Sequence, residues 1–242
     1  GEVYDYDIIS SGKSFDFGDK KVNYYDHGFN SMINFEFKKS ANKNYEELFA
    51  AYSEVLNNDE SGFQVLNYVT SHDDSNPFDK ERNRSVEAGT KLLLAPGTAQ
   101  IYYGDESART LIIEGTVGDA TLRSPMNWEA IKNDALTQKV LGHWQKLGKF
   151  RKNHPSIGAG EHEMISESPY VFKRTYHKNE IDDQVIIGLD LEKGAKKISV
   201  ATVFDDNSLV RDAYSGAEAK VQDGFIMMNT PFDLLLLEAL GN

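Results

Sequence analysis

The chain has 242 residues, 40% hydrophobic and 26% charged, a globular balance that excludes a disordered or fibrous protein and fits one large domain or two small ones. Its 26 Lys and Arg against 38 Asp and Glu give a formal net charge of −12, which repels phosphate backbones and argues against a nucleic-acid partner. Cysteine is absent, which excludes disulfides, thiolate catalysis and Cys-ligated metals.

Gly1-Glu2-Val3-Tyr4 reads as a strand stub, and the abrupt opening, with neither an initiator Met nor a basic-then-apolar leader, predicts an excised or processed piece. Residues 31–37 read as a strand. In 44–56 the apolar residues Tyr45, Leu48, Phe49, Tyr52 and Leu56 recur at helical spacing, which predicts an amphipathic helix. Residues 64–70 are rich in β-branched and aromatic side chains and read as a strand. A helix over 84–94 ends at Pro96-Gly97, and a strand over 99–103 stops at Gly104. A long polar loop follows to about Asn133, and Asp134 then caps a helix that runs to about Lys152.

Beyond His154-Pro155 the helical period disappears. Strands are predicted at 170–174, 184–190, 197–203, 224–228 and 232–238, with turns at Ser215-Gly216 and Asp223-Gly224. The expected organisation is α/β: residues 1–155 with strand–helix units of a parallel sheet, then 156–242 as an antiparallel β-sandwich. A complete (β/α)8 barrel takes about 250 residues, so 1–155 suffice for half of one. No apolar run approaches the roughly 20 residues of a membrane span.

Chemistry in such a sheet sits at the carboxyl ends of the strands, and three of those ends carry acids: Glu2, His72-Asp73-Asp74 and Asp105-Glu106. There is no Gly-x-Ser-x-Gly elbow, phosphate-binding glycine loop or His-Glu-x-x-His motif, so carboxylate chemistry beside one imidazole remains.

Five motifs occur in order: Gly1-Glu2-Val3, Ser31-Met32-Ile33-Asn34-Phe35, Tyr68-Val69-Thr70-Ser71-His72-Asp73, Pro96-Gly97-Thr98-Ala99-Gln100-Ile101-Tyr102-Tyr103-Gly104-Asp105-Glu106 and Arg123-Ser124-Pro125-Met126-Asn127-Trp128. Together they resemble the later half of the catalytic domain of the alpha-amylase superfamily of glycoside hydrolases, and Arg151-Lys152-Asn153-His154-Pro155 resembles its junction with a C-terminal β domain. The resemblance implies the C-terminal half of a (β/α)8 TIM barrel followed by a β-sandwich. It also implies an α-glucan oligosaccharide as substrate and the missing N-terminal half of the barrel as partner. Glu2 matches the general acid/base, Asp73 the carboxylate that supports the transition state, and His72 a ligand of the reacting ring. The nucleophilic Asp would lie upstream of Gly1. No cofactor is expected in this chain, while a full-length parent could carry calcium on ligands mostly upstream. A secreted or periplasmic location is mildly favoured.

Retaining cleavage needs a protonated acid and a carboxylate nucleophile about 5–5.5 Å apart. Glu2 should therefore be buried or crowded by negative charge, and Asp73 should stay ionised. Tyr4, Tyr6, Tyr102, Tyr103 and Trp128 could offer apolar faces to glucose rings. Other residues have plainer readings: Asp105-Glu106 as loop solvation or capping, Asp74 and Asp79 as turn formers around Pro77, and His27 as a residue within reach of the cleft. A second reading makes the chain a non-catalytic sugar-binding or scaffold remnant. A His-Asp metal phosphohydrolase is disfavoured, because 64–69 reads as a strand where that chemistry uses a helix and no second His stands at useful spacing.

Overall fold

In the computed structural model, which describes residues 1–58, 63–74 and 76–240, the first elements are short. Asp7 caps helix α1 (Ile8–Ser11) by accepting the N–H groups of Ile9 and Ser10. A hairpin follows, β1 (Ser14–Asp16) antiparallel to β2 (Lys21–Asn23). Strand β3 (Ser31–Asn34) leads through α2 (Phe37–Ser40) and α3 (Tyr45–Asn57) to β4 (Gln64–Asn67), then through α4 (Ser85–Leu94) to β5 (Thr98–Ala99). These three strands form a parallel sheet in the order β3-β4-β5, with Met32 opposite Val65 and Asn67 opposite Ala99.

The Gly1–Tyr4 stub is not a strand. Gly1 nevertheless brackets Met32 as a parallel neighbour does: its ammonium donates to Ser31 O at 2.7 Å and its carbonyl accepts Ile33 N–H at 2.9 Å. The chain then turns at Tyr4-Asp5, where Asp5 takes a left-handed φ of 61°.

Two asparagines lock the sheet. Asn34 and Asn67 face each other across β3 and β4, and Asn34 Nδ2 donates to Asn67 Oδ1 at 2.8 Å. Asn34 also donates to Tyr52 Oη of α3 at 2.8 Å and accepts Ile8 N–H at 3.3 Å, while Asn67 Nδ2 donates to Pro96 O at 2.9 Å. Both amides are buried and bonded on both ends. Gly97 must lack a Cβ here: its φ is 98°, and a Cβ would stand 2.9 Å from Asn67 Nδ2.

The helices present the faces that the sequence period demands. Asn44 caps α3 through Glu47 N–H, and Leu48, Phe49, Tyr52 and Leu56 are buried. Helix α4 is capped from outside by Asp79, which accepts Arg84 N–H at 3.0 Å and the Ser85 hydroxyl at 2.7 Å and is buried. Its Lys91 is buried as well, donating to Ala41 O at 2.6 Å and Lys43 O at 2.7 Å and pairing with Glu87 at 2.8 Å. Helices α5 (Trp128–Asn133) and α6 (Ala135–Asn153) follow, α6 with Asp134 accepting Thr137 N–H at 2.7 Å. Trp144 of α6 donates to Ser85 O at 2.8 Å.

The chain divides into two units, Gly1–Gly148 and Lys149–Asn242, so the division falls inside α6 rather than after Pro155. In the second unit α7 (Pro155–Ala159), with proline in its first turn, is followed by eight strands. These are β6 (Glu161–Ser166), β7 (Tyr170–Lys178), β8 (Ile181–Leu189), β9 (Gly194–Ser199), β10 (Leu209–Asp212), β11 (Glu218–Lys220), β12 (Phe225–Thr230) and β13 (Leu235–Ala239). Six make an antiparallel sheet in the order β11-β10-β13-β8-β7-β6, and β12 pairs with β9. Val171, Ile186, Val210, Leu235 and Leu237 of the larger sheet share one core with Ile198, Ile226 and Met228 of the smaller. Gly241 and Asn242, the end of the expected second domain, lie outside the described residues.

His154 is fixed between two neighbouring strands of this unit. Its Nδ1 lies 2.8 Å from Asp183 of β8 and its Nε2 2.7 Å from Glu238 of β13. Burial lowers the imidazole pKa, but the hydrogen bonds and charges of Asp183 and Glu238 outweigh it and raise the group above its ordinary value. A neutral imidazole can donate only once, so this geometry selects the cation. The stability it contributes is complete below the unfolded histidine value of about 6.5 and is lost as pH rises through the higher folded value. Thermal stability of the chain should therefore decline as pH rises through that folded value. His154→Gln should cost about 3 kcal/mol near pH 6 and flatten that decline; an unchanged decline in the variant would refute the assignment. Asn34→Ala leaves Asn67 and Tyr52 facing an empty polar site and should lower stability by about 2–3 kcal/mol in denaturant titration.

Candidate active site

The carboxyl ends of the parallel strands bring three segments together. The first turn, beside β3, carries Glu2 and Tyr4. The Tyr4 ring lies edge-on to Phe35 at 5.7 Å, Phe35 lies edge-on to Tyr68 at 6.1 Å, and Tyr68 Oη donates to Asp74 Oδ2 at 3.0 Å. This line of contacts runs from the first turn to the His72-Asp73-Asp74 segment beyond β4.

His72 and Asp73 lie in a loop, not on a helix. His72 Nε2 is 3.6 Å from Asp73 Oδ2, with side-chain exposures of 64% and 43% that leave both open to an incoming ligand. Asp73 Oδ1 accepts the Ser71 hydroxyl at 2.9 Å, and the His72 carbonyl accepts Arg123 Nε at 3.0 Å. Glu2 is exposed, so the burial expected of a resting general acid is not met by these residues alone.

Asp74 is no simple turn former. It is paired with Lys38 of α2, with side-chain exposures of only 7% for the lysine and 14% for the acid, and it also accepts Asn76 N–H at 3.1 Å. Burial raises the Asp74 carboxyl, but the hydrogen bonds from Lys38, Asn76 and Tyr68 and the Lys38 charge outweigh it and hold the group below the usual range. Tyr68 is pushed well above the ordinary phenol value, first by burial and then by the Asp74 charge.

No family model matches the chain. Over 184 residues it is 35% identical to the periplasmic alpha-amylase of Escherichia coli K12, a match covering 73% of this chain and 25% of that protein. The chain belongs to the alpha-amylase superfamily. The Anoxybacillus alpha-amylase crystal structure shares the fold, at TM-score 0.66 and 20% identity over 100% of this chain and 52% of that one. AmyP in complex with maltotriose does so at TM-score 0.62 and 13% identity over 98% and 54%. The fold is thus α/β and amylase-like. The chain spans a quarter of the curated relative and about half of these solved structures.

The third segment of this amylase-family chain, beyond β5, is built on buried charge. Asp105 is fully buried rather than solvated, and Arg82 Nη2 stands 2.8 Å from its Oδ1. The alignment is poor enough that both Asp105 oxygens, Arg82 Nη2 and the neighbouring Thr70 Oγ1 make no hydrogen bond among the described residues. Burial raises the Asp105 pKa, opposed by the Arg82 charge. Glu106 turns inward to accept Gly104 N–H at 2.9 Å.

Arg109 organises the long loop that sequence reading left as polar. It is fully buried and donates to Tyr103 O at 2.9 Å, Leu122 O at 3.2 Å and Ser124 O at 3.0 Å, with Tyr103's ring 3.9 Å from its guanidinium. Gly104 makes room, since a Cβ there would collide with the Arg109 side chain. Ser107 and Asn127 exchange two hydrogen bonds of 2.8 Å and close the loop. Held this way, Arg123 is delivered onto the His72 carbonyl.

Of the aromatic residues expected to face sugar, Tyr6 is buried and donates to Gly12 O at 2.7 Å, which removes it from that role. Tyr4, Tyr103 and Trp128 are exposed. His27 is exposed in a 3-10 turn. Among the described residues no group of three or more His, Asp or Glu could hold a metal ion.

Arg109→Met removes the five hydrogen bonds that Arg109 gives to four acceptors of that loop, the carbonyls of Tyr103, Leu122 and Ser124 and the Ser124 hydroxyl. Limited proteolysis should then cut between 105 and 127 at least about tenfold faster, while the second unit stays resistant. Equal rates for the two chains would contradict the role of Arg109.

Proposed function

We infer that this chain is the later part of a retaining α-glucan hydrolase: residues 1–155 as the C-terminal half of its (β/α)8 barrel, and 156–242 as its C-terminal β domain. The observation that carries the reading is the line Tyr4–Phe35–Tyr68–Asp74, which joins the Glu2 turn to the His72-Asp73 pair at the carboxyl end of one parallel sheet. The 35% identity to a periplasmic alpha-amylase supports it, and so does the match to about half of each solved neighbour. AmyP's bound maltotriose supports a maltooligosaccharide as the ligand class.

In this reading Glu2 protonates the departing glycosidic oxygen. Asp73, ionised and open to solvent, accepts ring hydroxyls whose hydrogen bonds strengthen as positive charge develops at the anomeric carbon. His72 hydrogen-bonds the same ring, and Tyr4 and Trp128 offer exposed apolar faces. The attacking carboxylate comes from a segment outside this sequence, with the missing half of the barrel as its carrier; any calcium of that assembly takes ligands from the same source. The E. coli relative's periplasmic name supports an extracytoplasmic parent.

The exposure of Glu2 favours a second state for the chain by itself: sugar binding without turnover. The chain alone should therefore bind maltotriose and release no reducing ends from starch. Asp73→Asn and His72→Ala should each weaken binding by about 1.5–3 kcal/mol, the scale of one charge-assisted hydrogen bond. In an enzyme that supplies the nucleophile, Glu2→Gln should lower kcat by at least about 10². Turnover by the isolated chain that vanishes in Glu2→Gln would overturn its inactivity; full activity of Glu2→Gln in the complete enzyme would overturn the acid/base assignment.

A further inference from the structure

We propose that Lys38 and Asp74 are a positioning pair for the exposed His72-Asp73 dipeptide, a role that rests on the functional reading above and extends it to residues that touch no sugar. Asp73 and Asp74 are adjacent in sequence and opposite in environment: one is open to solvent, the other closed in with a lysine and a tyrosine. Lys38 is itself steered, because its Nζ also donates to Phe35 O at 3.0 Å. Phe35 N–H in turn bonds Tyr6 O at 2.9 Å in the first turn. The ammonium thus joins the end of β3 to the loop beyond β4, and the Phe35 peptide carries the link on to the first turn.

The dipeptide itself has few tethers. Arg123 holds the His72 carbonyl and Ser71 holds one Asp73 oxygen, and both contacts lie near solvent. The Asp74 anchor is the closed one, where low local polarity strengthens the pair and its geometry is fixed by three donors: Lys38 Nζ, Tyr68 Oη and Asn76 N–H. A carboxylate that must meet two ring hydroxyls tolerates little displacement, and a fixed neighbour is how an exposed loop residue obtains it.

The test uses the 242-residue chain, maltotriose as probe, and the ring signal of His72 in a 1H–13C spectrum. Asp74→Asn strands Lys38 and risks unfolding, so the double variant Lys38→Met/Asp74→Asn, which removes both charges, keeps volume and leaves Tyr68 Oη and Asn76 N–H an acceptor, accompanies it. In the double variant maltotriose binding should weaken at least about tenfold, the scale of a misplaced catalytic group, and the His72 ring signal should shift or broaden. The single variant Lys38→Arg, which keeps a cation beside Asp74, should retain both near wild type. A folded double variant that binds as wild type and keeps the His72 signal in place, while Asp73→Asn still weakens binding, overturns the positioning role. If the wild-type chain fails to bind maltotriose, or Asp73→Asn binds as well as wild type, the functional reading fails instead. The His72 signal then decides the pair alone: movement in the double variant upholds it and constancy overturns it.

Discussion

The hydrogen bond from Asn34 to Asn67 is the contact on which the first unit depends. A parallel pair slipped by one residue turns every side chain to the opposite face. Apolar residues alone would leave that slip cheap in strands of only four residues. Two buried amides do not, because each finds its partner in one register and leaves a buried polar group bare in the next. The same amides reach Tyr52 in α3, Ile8 in α1 and the carbonyl of Pro96 ahead of β5. One small network therefore sets the register, docks two helices and places the third strand, and with it the end of the sheet where Glu2, His72 and Asp73 emerge.

A second constraint is the way this acidic chain buries its cations. Arg109 and Lys196 are buried on backbone carbonyls rather than on carboxylates: Arg109 on Tyr103, Leu122 and Ser124, and Lys196 on Gly194 and Thr230 at 3.0 Å each. Burial lowers the Lys196 pKa and outweighs the opposing charges of Asp212 and Asp233. Such sites organise irregular backbone, since a guanidinium or ammonium satisfies several carbonyls that no ladder reaches. They explain how the stretch 103–124 holds its shape with two 3-10 turns as its only helical structure among the described residues.

The three longest helices, α3, α4 and α6, were legible because their signals are local: the period of α3, the caps Asn44 and Asp134, and the Pro96-Gly97 stop of α4 all stand in the sequence, whereas the short α1, α2, α5 and α7 went unseen. Strand lengths were not. The stretches 31–37 and 99–103 read as full strands, yet the ladders close at Asn34 and Ala99, because Phe37 starts a helix and the Tyr102 and Tyr103 rings pack against Arg109 instead. Strands β6, β10 and β11 went unseen: β6 is an edge strand studded with charge, and the other two are four and three residues long. At the site, His72, Asp73 and Glu2 were singled out through motif order. Lys38 and Arg82 were missed, since a buried ion pair between residues 36 or 23 positions apart leaves no pattern in either neighbourhood.

The acids divide by environment in a way that separates folding from chemistry. Asp74, Asp79 and Asp105 resemble loop acids in sequence, yet each is enclosed and committed to a lysine, a helix start or an arginine. Breaking any of them strands a partner in the interior, which is costly whatever the chain's activity. Glu2 and Asp73 lie open, and the fold asks little of them: a single serine hydroxyl and a histidine at 3.6 Å are what Asp73's side chain meets. A carboxylate kept free of structural duty at the end of a rigid sheet is available to a ligand, whereas a carboxylate already satisfied by a lysine is not. Neighbouring residues of the same type thus serve opposite ends, and the pairing of Asp74 is what allows Asp73 to remain unspent.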